Sequence, residues 1–281
     1  MNRKEDKKAI DEHQQLKKVQ LMIATDIKRV CENYNIRYFL DAGSMLGAVR
    51  HGGFIPWDDD MDIGMPKDDY KKFMEIASEE LGEKYFVDNY NTNDENPLVF
   101  TKIRLLGTEY IENKSNALAK HKEVFVDIFP YYYISDNEIL RKIEALKMQI
   151  LTQMLLIKGG FKVWKGESKF KYIKFLPVQI LAKCYSVKSI RNKIDKSYNK
   201  YVNTKNICVH AGSCYNYWYF PTTWFNELVD IQFEGIKFKI PKEYDSFLRK
   251  AYGDYMKLPP EDERKTHQII KLDLGKYTNS I

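Results

Sequence analysis

Three aspartates are the side chains of this sequence best suited to carry chemistry. Asp60 and Asp62 are two residues apart, and residues at that spacing in a strand point to the same face. Two close carboxylates repel each other, and a divalent cation relieves the repulsion; such oxygen ligands suit Mg²⁺ or Mn²⁺. The other reading of this acidic run is a solvated or calcium-binding loop.

Asp127 is the third of these acids. It lies in the apolar run Glu-Val-Phe-Val-Asp-Ile-Phe-Pro, where a buried carboxylate needs a metal, a cation or hydrogen bonds. We therefore predict Asp60, Asp62 and Asp127 as metal ligands and catalytic residues, with Asp127 also a candidate base for an attacking hydroxyl. The alternative for Asp127 is an aspartate at a strand end that caps a neighbouring turn.

Gly43 and Ser44 form a candidate phosphate contact upstream of the acids. They lie where a short strand gives way to a helix, in the predicted order strand, Gly-Ser, helix, loop, Asp-x-Asp strand. Glycine permits close approach of the backbone to a phosphate, and a helix N-terminus offers free N–H groups. The order predicts a phosphate site beside a metal pair, which is the arrangement a nucleotidyltransferase needs.

The elements that must position these residues follow from periodicity and turn signals, and they predict an α/β fold. We expect a catalytic body built from residues 1–135 and 206–281, with a basic helical insertion at 136–205. Ile139, Ile143, Leu146, Ile150, Met154 and Ile157 form a continuous apolar seam in that insertion. The predicted helices cover 5–34, 43–51, 66–81, 136–158 and 242–253. The predicted strands cover 37–42, 61–65, 85–89, 98–105, 108–112 and 123–130, with a hairpin at 228–241 that turns at Glu234-Gly235.

Composition and charge limit the cellular setting. The chain has 281 residues and a net charge of +6, and thirteen Lys and Arg against two acids lie between Lys158 and Lys205. Apolar residues interleave with these lysines, which indicates either a solvated helical face or a surface for anionic lipid headgroups or an anionic polymer. No nucleic-acid-binding motif accompanies the charge, so we expect no nucleic acid partner.

Neither a secretory signal nor a membrane-spanning segment is expected, so we predict a cytoplasmic protein with peripheral contact at the inner face of the membrane. The four cysteines then read as reduced thiols. A metal site at Cys208, His210 and Cys214 is an alternative, which the spacing does not favour because zinc ligands usually come in tighter pairs.

Long motifs of this sequence resemble the LicD family of phosphotransferases, which is related to fukutin and fukutin-related protein. The similarity lies in Leu-Asp-Ala-Gly-Ser-Met-Leu-Gly-Ala-Val-Arg-His-Gly-Gly-Phe-Ile-Pro-Trp-Asp-Asp-Asp-Met-Asp-Ile-Gly-Met (40–65), in Phe-Val-Asp-Ile-Phe-Pro (125–130) and in residues 238–260 with His267. The insertion at about 136–205 is left as the divergent part. One departure is Leu106-Gly107 before Thr108, where the family often has an acidic residue.

The resemblance implies a nucleotidyltransferase-like fold of the polymerase β type, with a mixed sheet flanked by helices. It also implies transfer of a substituted phosphate, such as phosphocholine, from a CDP-linked donor such as CDP-choline. The implied acceptor is a hydroxyl of a cell-surface glycan precursor of the teichoic acid or lipopolysaccharide type, and the basic insertion indicates that this acceptor is anionic or lipid-linked. Carried over by position, Asp60 and Asp62 match the metal pair, Asp127 the third acid, and Gly43-Ser44 the phosphate-contacting turn.

Further contacts to the donor are expected from cations and aromatic rings. Arg50, Lys102, Arg104 and His267 are candidate phosphate contacts, each with an alternative as a surface charge. A choline ammonium would need aromatic faces. The candidate rings are Trp57, Tyr131, Tyr132 and Tyr133, with a second cluster at Tyr215, Tyr217, Trp218 and Tyr219.

Two rival functions remain open from the sequence. The first is a nucleotidyltransferase that moves a nucleoside monophosphate, because the same carboxylates would serve and only the attacked phosphorus differs. The second is a membrane-associated scaffold whose acids only bind Ca²⁺. Ribitol, glycerol or ethanolamine phosphate would leave the motifs unchanged, so the transferred alcohol is not fixed by them.

Overall fold

The computed structural model describes residues 3–112, 121–161, 169–209, 214–264 and 269–278. Within these ranges the chain forms a mixed α/β structure, in which helices surround a seven-stranded sheet and two small two-stranded sheets. His210 and His267 lie outside the described residues.

Eight α-helices occur in the described residues. Their bounds are α1 Arg3–Asn33, α2 Ala42–His51, α3 Lys67–Leu81, α4 Glu138–Lys158, α5 Lys169–Cys184, α6 Val187–Tyr198, α7 Cys214–Tyr217 and α8 Tyr244–Tyr252. Short 3₁₀ turns cover Thr222–Phe225, Glu261–Glu263 and Gly275–Tyr277. None of the described helices is both long enough and apolar enough to cross a bilayer.

Eleven strands are described. Their bounds are β1 Phe39–Leu40, β2 Asp62–Pro66, β3 Tyr85–Asp88, β4 Thr101–Leu105, β5 Glu109–Glu112, β6 Phe125–Ile134, β7 Asn206–Val209, β8 Tyr219–Pro221, β9 Leu228–Phe233, β10 Ile236–Pro241 and β11 Ile269–Asp273. The main sheet has the order β1-β2-β6-β4-β3, and β7 joins it by pairing with β6 and β8. The pair β2–β6 is parallel, whereas the other pairs in this sheet are antiparallel.

Capping residues set the helix boundaries near the sheet. The carboxylate of Asp41 accepts a hydrogen bond from the Ala42 backbone N–H and caps α2, and Gly52 ends this helix in the left-handed region at φ 71°. Asn137 and Ser186 cap α4 and α6 in the same way. Helices α2, α4 and α6 therefore begin at residues whose side chains satisfy otherwise unpaired N–H groups, whereas α3 and α8 begin without a side-chain cap.

Two hydrophobic cores hold the fold together. The larger core packs α1, α2, α3 and α8 around the sheet, with Ile23, Ile63, Ile128 and Phe247 fully buried. The second core packs the helices of the insertion against the end of β6 and against β7, and it includes Ile134, Met148, Ile194 and Cys208. Strand β6 contributes residues to both cores, so it is shared by the body and the insertion.

Most elements occur where periodicity predicts them, with shifts at their ends. The hairpin β9–β10 turns at Glu234-Gly235 as predicted, and both residues have positive φ, 50° and 78°. Strand β6 runs to Ile134, beyond the predicted end at residue 130, because Tyr132 and Ile134 pack into the second core. The predicted strand 37–42 contracts to Phe39–Leu40, because Asp41 serves as a cap and α2 starts at Ala42.

The apolar seam of α4 does not form one buried stripe. The buried face of the helix is formed by Arg141, Ala145, Met148, Leu151, Met154 and Leu155. Ile139, Ile143 and Leu146 are 70%, 60% and 60% exposed. The first half of α4 therefore presents an apolar stripe to solvent, since its neighbours cover only the opposite face.

Candidate active site

Asp62 and Asp127 are direct neighbours across two parallel strands. Asp62 opens β2, Asp127 lies near the start of β6, and the two residues are register partners in the parallel pair. The Asp127 N–H also donates to the Met61 carbonyl at 3.0 Å. The sheet thus brings an acid from each of two sequence motifs to one place, as the sequence predicts.

Asp60 lies in the loop before β2, not within the strand. The spacing argument from a shared strand face therefore does not apply to it, because β2 begins at Asp62. Its charge still acts on Asp62 and on Asp127, raising the pKa of both. Proximity of the predicted pair thus comes from the approach of the loop to the strand.

The carboxylates of this cluster crowd each other strongly. Burial raises the pKa of Asp62 well above its usual value, and the charges of Asp60, Asp127, Asp41 and Asp58 raise it further. Burial, then the charge of Asp60 and a hydrogen bond with it, raises the pKa of Asp58 to about 7. A cluster of partly buried acids with raised pKa values is typical of a functional site.

Lys102 makes an ion pair with Asp127 in this structure. Its Nζ lies 2.7 and 3.0 Å from the two Asp127 carboxylate oxygens, and it also sits 3.3 Å from the centre of the Phe125 ring. Burial raises the pKa of Asp127, and the Lys102 ammonium acts in the opposite direction. Lys102 is therefore placed at the predicted metal site, where it partly neutralises the acids.

The chemistry of these donors fits a divalent cation at one end of the cluster. Hard carboxylate oxygens that repel each other are the ligands of Mg²⁺ and Mn²⁺. Within the described ranges, however, no three His, Cys, Asp or Glu side chains already surround a common point that could hold an ion. Asp60 and Asp62 are the fitting pair, and Asp127 could join them only after Lys102 releases it.

Gly43 and Ser44 lie inside the first turn of α2, which begins one residue before them. The Ser44 hydroxyl accepts a 2.9 Å hydrogen bond from the Asp62 N–H, so it fastens the start of β2 to the helix. A Cβ on Gly43 would lie 2.7 Å from Asp58 Oδ2, so a larger residue here would require the Asp58 carboxylate to move. The predicted start of the helix at Gly43-Ser44 is thus one residue from the observed start at Ala42, and a phosphate contact here stays a prediction.

A network of hydrogen bonds holds the acidic loop in place. Gln20 of α1 donates to the Asp59 carbonyl at 2.8 Å, and Tyr110 of β5 donates to the Asp59 carboxylate at 3.2 Å. Glu234, at the turn of the β9–β10 hairpin, accepts from the Phe54 N–H at 3.0 Å. Elements distant in sequence therefore fix the loop that carries Asp58 and Asp60.

The other predicted cations have protein partners. Arg50 donates to the Tyr255 carbonyl at 2.7 Å, and its guanidinium lies 6.0 Å from the Trp57 ring. Arg104 is buried and makes an ion pair with Asp88. Their contact with a phosphate stays a prediction, and that of His267 falls outside the described residues. The alternative of plain surface charges is wrong for Arg104, which is 8% exposed.

The aromatic candidates divide into core residues and accessible rings. Tyr131 is buried and donates to Asp41, and Tyr132 stacks on Tyr198 at 3.8 Å between ring centres. These two rings are core residues and form no wall of a cation cage. Trp57 is partly buried beside the acids, and the Arg264 guanidinium lies 4.8 Å from its ring centre, so this ring already binds cations.

Three residues near the acids were not assigned a role from the sequence. Asp41 caps α2, its N–H donates to the Asp62 carbonyl, and its pKa is raised to about 6 by burial. Tyr252, at the end of α8, has its pKa raised by burial and then by the charges of this acidic cluster. Asp58 lies in the loop before β2 and adds its charge to the cluster. Asp41 and Asp58 belong to the motif 40–65 and Tyr252 to the motif 238–260, which was the only available signal.

A known protein family matches the part of the chain that carries the candidate site. Residues 35–149 match a family model described as LicD/FKTN/FKRP, nucleotidyltransferase domain. That segment contains β1, α2, β2 and β6, and hence Gly43, Ser44, Asp60, Asp62 and Asp127. The match ends within α4, before the rest of the insertion.

Curated relatives of the chain carry named transferase activities. The lipopolysaccharide cholinephosphotransferase LicD of Haemophilus influenzae is 29% identical over 251 residues, which are 85% of this chain and 89% of that protein. The ribitol 5-phosphate transferase FKRP of Mus musculus is 32% identical over 106 residues, which are 37% of this chain and 18% of that protein. Both relatives transfer a phosphate that carries an alcohol.

Proposed function

We propose that this chain, which carries a LicD family domain at residues 35–149, is a metal-dependent phosphotransferase. It moves a substituted phosphate from a CDP-linked donor to a hydroxyl of a cell-surface glycan precursor of the teichoic acid or lipopolysaccharide type. The observation that supports this most directly is the register of Asp62 and Asp127 on neighbouring parallel strands, with Asp58 and Asp60 beside them. We further propose that the fold is nucleotidyltransferase-like, of the polymerase β type.

Phosphocholine is the favoured group because the relative that aligns over 89% of its length is named a cholinephosphotransferase. Trp57 is the proposed contact for the quaternary ammonium, which would take the place of a guanidinium on this ring, because Arg50 and Arg264 lie 6.0 and 4.8 Å from its centre. The relatives named for ribitol phosphate make that alcohol the second candidate. The same acids and cations would also accept glycerol or ethanolamine phosphate, with less contact to the Trp57 ring.

The proposed mechanism uses the crowded acids in two roles. Asp60 and Asp62 would hold Mg²⁺ or Mn²⁺, which supplies charge neutralisation at the phosphate oxygens when it is bound. Asp127, with a pKa raised by burial, accepts the proton of the attacking glycan hydroxyl. The new bond forms between the glycan oxygen and the phosphorus that carries the alcohol, and the anhydride bond breaks so that CMP leaves.

Lys102 and Arg50 act on the donor in this mechanism. Lys102, whose Nζ contacts Asp127, would stabilise the negative charge that develops on the departing CMP. Arg50 positions the donor from the end of α2, where its other contacts already orient the guanidinium. In-line positioning and neutralised charge then account for most of the rate, as in other phosphoryl transfers.

The α4 stripe supports a peripheral contact with the inner face of the membrane. We define the α4 stripe as Ile139, Ile143 and Leu146, which are exposed at helical spacing on one face. Lys142 and Lys147 lie on the same part of the helix, and the insertion that follows is rich in lysine. Apolar side chains flanked by lysines suit an anionic bilayer, where a lipid-linked acceptor would reside.

The central test combines a donor screen with two alanine variants. Wild-type protein with Mg²⁺ is mixed with CDP-choline, CDP-ribitol, CDP-glycerol or CDP-ethanolamine, and thermal shift and CMP release are measured. Asp60→Ala and Asp62→Ala should abolish transfer while leaving a cooperative unfolding transition. Asp68→Ala, an exposed acid on α3, is the matched control and should retain activity.

The products separate the proposal from its rivals. CMP indicates transfer of the phospho-alcohol, whereas pyrophosphate released from a nucleoside triphosphate indicates nucleotidyl transfer. Full turnover in the Asp62→Ala variant with Mg²⁺ present would contradict the metal assignment. A scaffold that only binds Ca²⁺ would release neither product.

A further inference from the structure

A cavity of about 430 Å³ lies between the edge of the main sheet and the insertion. It is bounded by the loop that follows β3, by the end of α4 and by the start of α6. Its polar wall includes Asp88, Asn93, Asn96, Arg104 and Arg191. The volume lies within the range of about 300–1,000 Å³ that is usual for small-molecule sites.

The cavity opens close to the candidate catalytic acids. Arg104, on its wall, is the β4 register partner of Phe125, and Lys102 is the partner of Asp127 two residues along the same strands. That step corresponds to roughly 7 Å. The Phe125 ring connects the two places, because the Arg104 guanidinium lies 5.3 Å and the Lys102 Nζ 3.3 Å from its centre.

Hydrogen bonds hold the wall of the cavity in one shape. The Asp88 carboxylate accepts from Arg104 and from the side-chain amides of Asn93 and Asn96, both at 2.9 Å. Arg191 of α6 donates to the carboxylate and the carbonyl of Asp94 at 3.0 and 2.8 Å, and to the Asn96 carbonyl at 3.2 Å. The loop after β3 is thus bound to both the sheet and the insertion, and a ligand would meet a prearranged surface.

The balance of charge on the lining points to an uncharged ligand. Among the lining residues that the structure describes, three acids, Asp88, Asp94 and Glu95, face three cations, Arg104, Lys158 and Arg191. Arg191 Nε is buried and has no hydrogen-bond partner in the described part of the chain. Planar amide, carboxylate and guanidinium groups mixed with apolar Leu98, Leu155 and Phe161 suit a ligand with many hydroxyls, to which they both donate and accept.

We propose that this cavity is the acceptor subsite and binds an uncharged sugar unit of the glycan, next to the sugar whose hydroxyl is attacked. This inference rests on the proposed phosphotransfer. Seven of the sixteen described lining residues, from Leu155 to Arg191, lie beyond residue 149, where the LicD family match ends. The segment that matches the family thus carries the reaction, while the insertion supplies part of the wall that meets the acceptor.

The test fills the cavity and measures sugar binding without a donor. The probes are the methyl glycosides of glucose, galactose, N-acetylglucosamine and N-acetylgalactosamine, followed by saturation-transfer NMR on the full chain. At least one should bind the wild type, and Leu98→Trp should weaken that binding tenfold or more. Leu106→Trp, in the exposed turn after β4, is the matched control and should bind as the wild type does.

A second variant tests the same cavity in case Leu98→Trp does not fold. Lys158→Ala removes an exposed lining cation and should weaken the same glycoside about threefold, whereas Lys183→Ala on α5 should not. Binding of CDP-choline with Mg²⁺, measured by thermal shift, should be unchanged in all four variants. Acceptor-independent release of CMP should also stay at the wild-type rate.

Three results would overturn the acceptor subsite. These are failure of every glycoside to bind the wild type, equal binding by Leu98→Trp and Leu106→Trp, and loss of CDP-choline binding in Leu98→Trp, which would place the donor there. A failure of the proposed function looks different. In that case no CDP-linked alcohol would bind the wild type or release CMP, whether or not a glycoside binds.

Discussion

At the scale of single residues, the candidate site brings several carboxylates close together although their charges repel each other. Asp62 is surrounded by other carboxylates, and its raised pKa shows that its charged form is costly in the folded protein. Lys102 offsets part of this charge through Asp127, and the Ser44 hydroxyl fastens the Asp62 backbone. Such an arrangement stabilises the protein little, which is typical of functional sites.

Asp62→Asn should raise the melting temperature at pH 8 in EDTA and abolish transfer. The pKa of Asp62 is raised in the folded state, so its stabilising contribution is complete below the model-peptide value of 3.8 and is lost as pH rises through the folded value. The uncharged amide of Asp62→Asn does not lose this stability at high pH, so the increase in melting temperature over the wild type should become smaller toward pH 4. Calorimetry of both proteins between pH 4 and 8 measures the two melting temperatures.

The same variant tests the cation. Mg²⁺ should raise the melting temperature of the wild type but not that of Asp62→Asn, and activity should fall on the order of a thousandfold. Asp68→Asn, which changes an exposed acid of α3, should behave as the wild type in both measurements. An equal Mg²⁺ shift in the wild type and in Asp62→Asn would contradict the assignment.

Asp88→Asn should cost about 3–5 kcal/mol at pH 7, because it leaves Arg104 buried without its anionic partner. Burial alone would raise the pKa of Asp88, but Arg104, Asn93 and Asn96 hold it below its usual value. Its contribution is therefore present above pH 3.8 and is lost as pH falls through the folded value. Urea unfolding at pH 7 and pH 3 should show the difference from wild type narrowing in acid.

The matched control for this variant is Asp94→Asn. Asp94 also pairs with an arginine, Arg191, but its side chain is 99% exposed, so the cost should be about 0–1 kcal/mol. A loss of equal size in both variants would show that burial of the Asp88 pair is not the cause.

At the scale of elements, the sequence predicts the strands, helices and hairpin that carry the site, because their apolar periodicity and turn residues are local signals. The start of α2 is missed by a residue, since Asp41 could be either the last strand residue or a cap. The pairing of Lys102 with Asp127 and of Arg104 with Asp88 depends on the order of strands in the sheet, which periodicity does not encode. The exposed face of α4 is unpredictable for the same reason, because an apolar helix has several faces that could pack.

Gly47→Ala should destabilise the contact between α2 and the loop that leads to the acids. A Cβ at this position would lie 2.4 Å from the Gly53 carbonyl oxygen and 3.2 Å from the Ile55 nitrogen, and both are backbone atoms. We expect a loss of about 1–3 kcal/mol together with reduced transfer, because the loop must shift. Chemical denaturation measures the first and CMP release the second.

Ser78→Ala is the control for that change. Ser78 is exposed on α3, and alanine has a higher helix propensity than serine. Because no clash arises at this position, stability should stay the same or increase slightly. Unchanged stability in Gly47→Ala would mean that the helix and the loop can separate without cost.

At the scale of the whole molecule, an excess of positive charge and the exposed α4 stripe both lie in the insertion. The α4 stripe precedes the segment between Lys158 and Lys205, which has thirteen cationic residues and two acids. The acids of the candidate site lie in the other part of the chain. This separation supports a molecule that meets an anionic surface with the insertion while the sheet performs the reaction.

Replacing the α4 stripe with serine, in the triple variant Ile139→Ser, Ile143→Ser and Leu146→Ser, should weaken binding to phosphatidylglycerol vesicles tenfold or more. Each side chain is mostly exposed, so stability should hardly change, whereas insertion of each into a bilayer is worth up to about 1.5–3 kcal/mol. Sedimentation at low salt measures the binding.

Val202→Ser is the control, because Val202 is 65% exposed but lies outside α4. It should sediment with vesicles as the wild type does. Equal sedimentation of the triple variant and this control would contradict the membrane contact.

The shared strand β6 limits how this chain can be recombined with its relatives. Its first half contributes Val126 and Ile128, on either side of Asp127, to the larger core, while Tyr132 and Ile134 belong to the core of the insertion together with Cys208 and Tyr215. A graft that exchanges only helices α4 to α6 would leave the other five of the fourteen buried residues described in that second core mismatched. A chimera that aims to change acceptor choice must therefore carry the donor protein's own residues at 131–134 and 206–215 along with its helices.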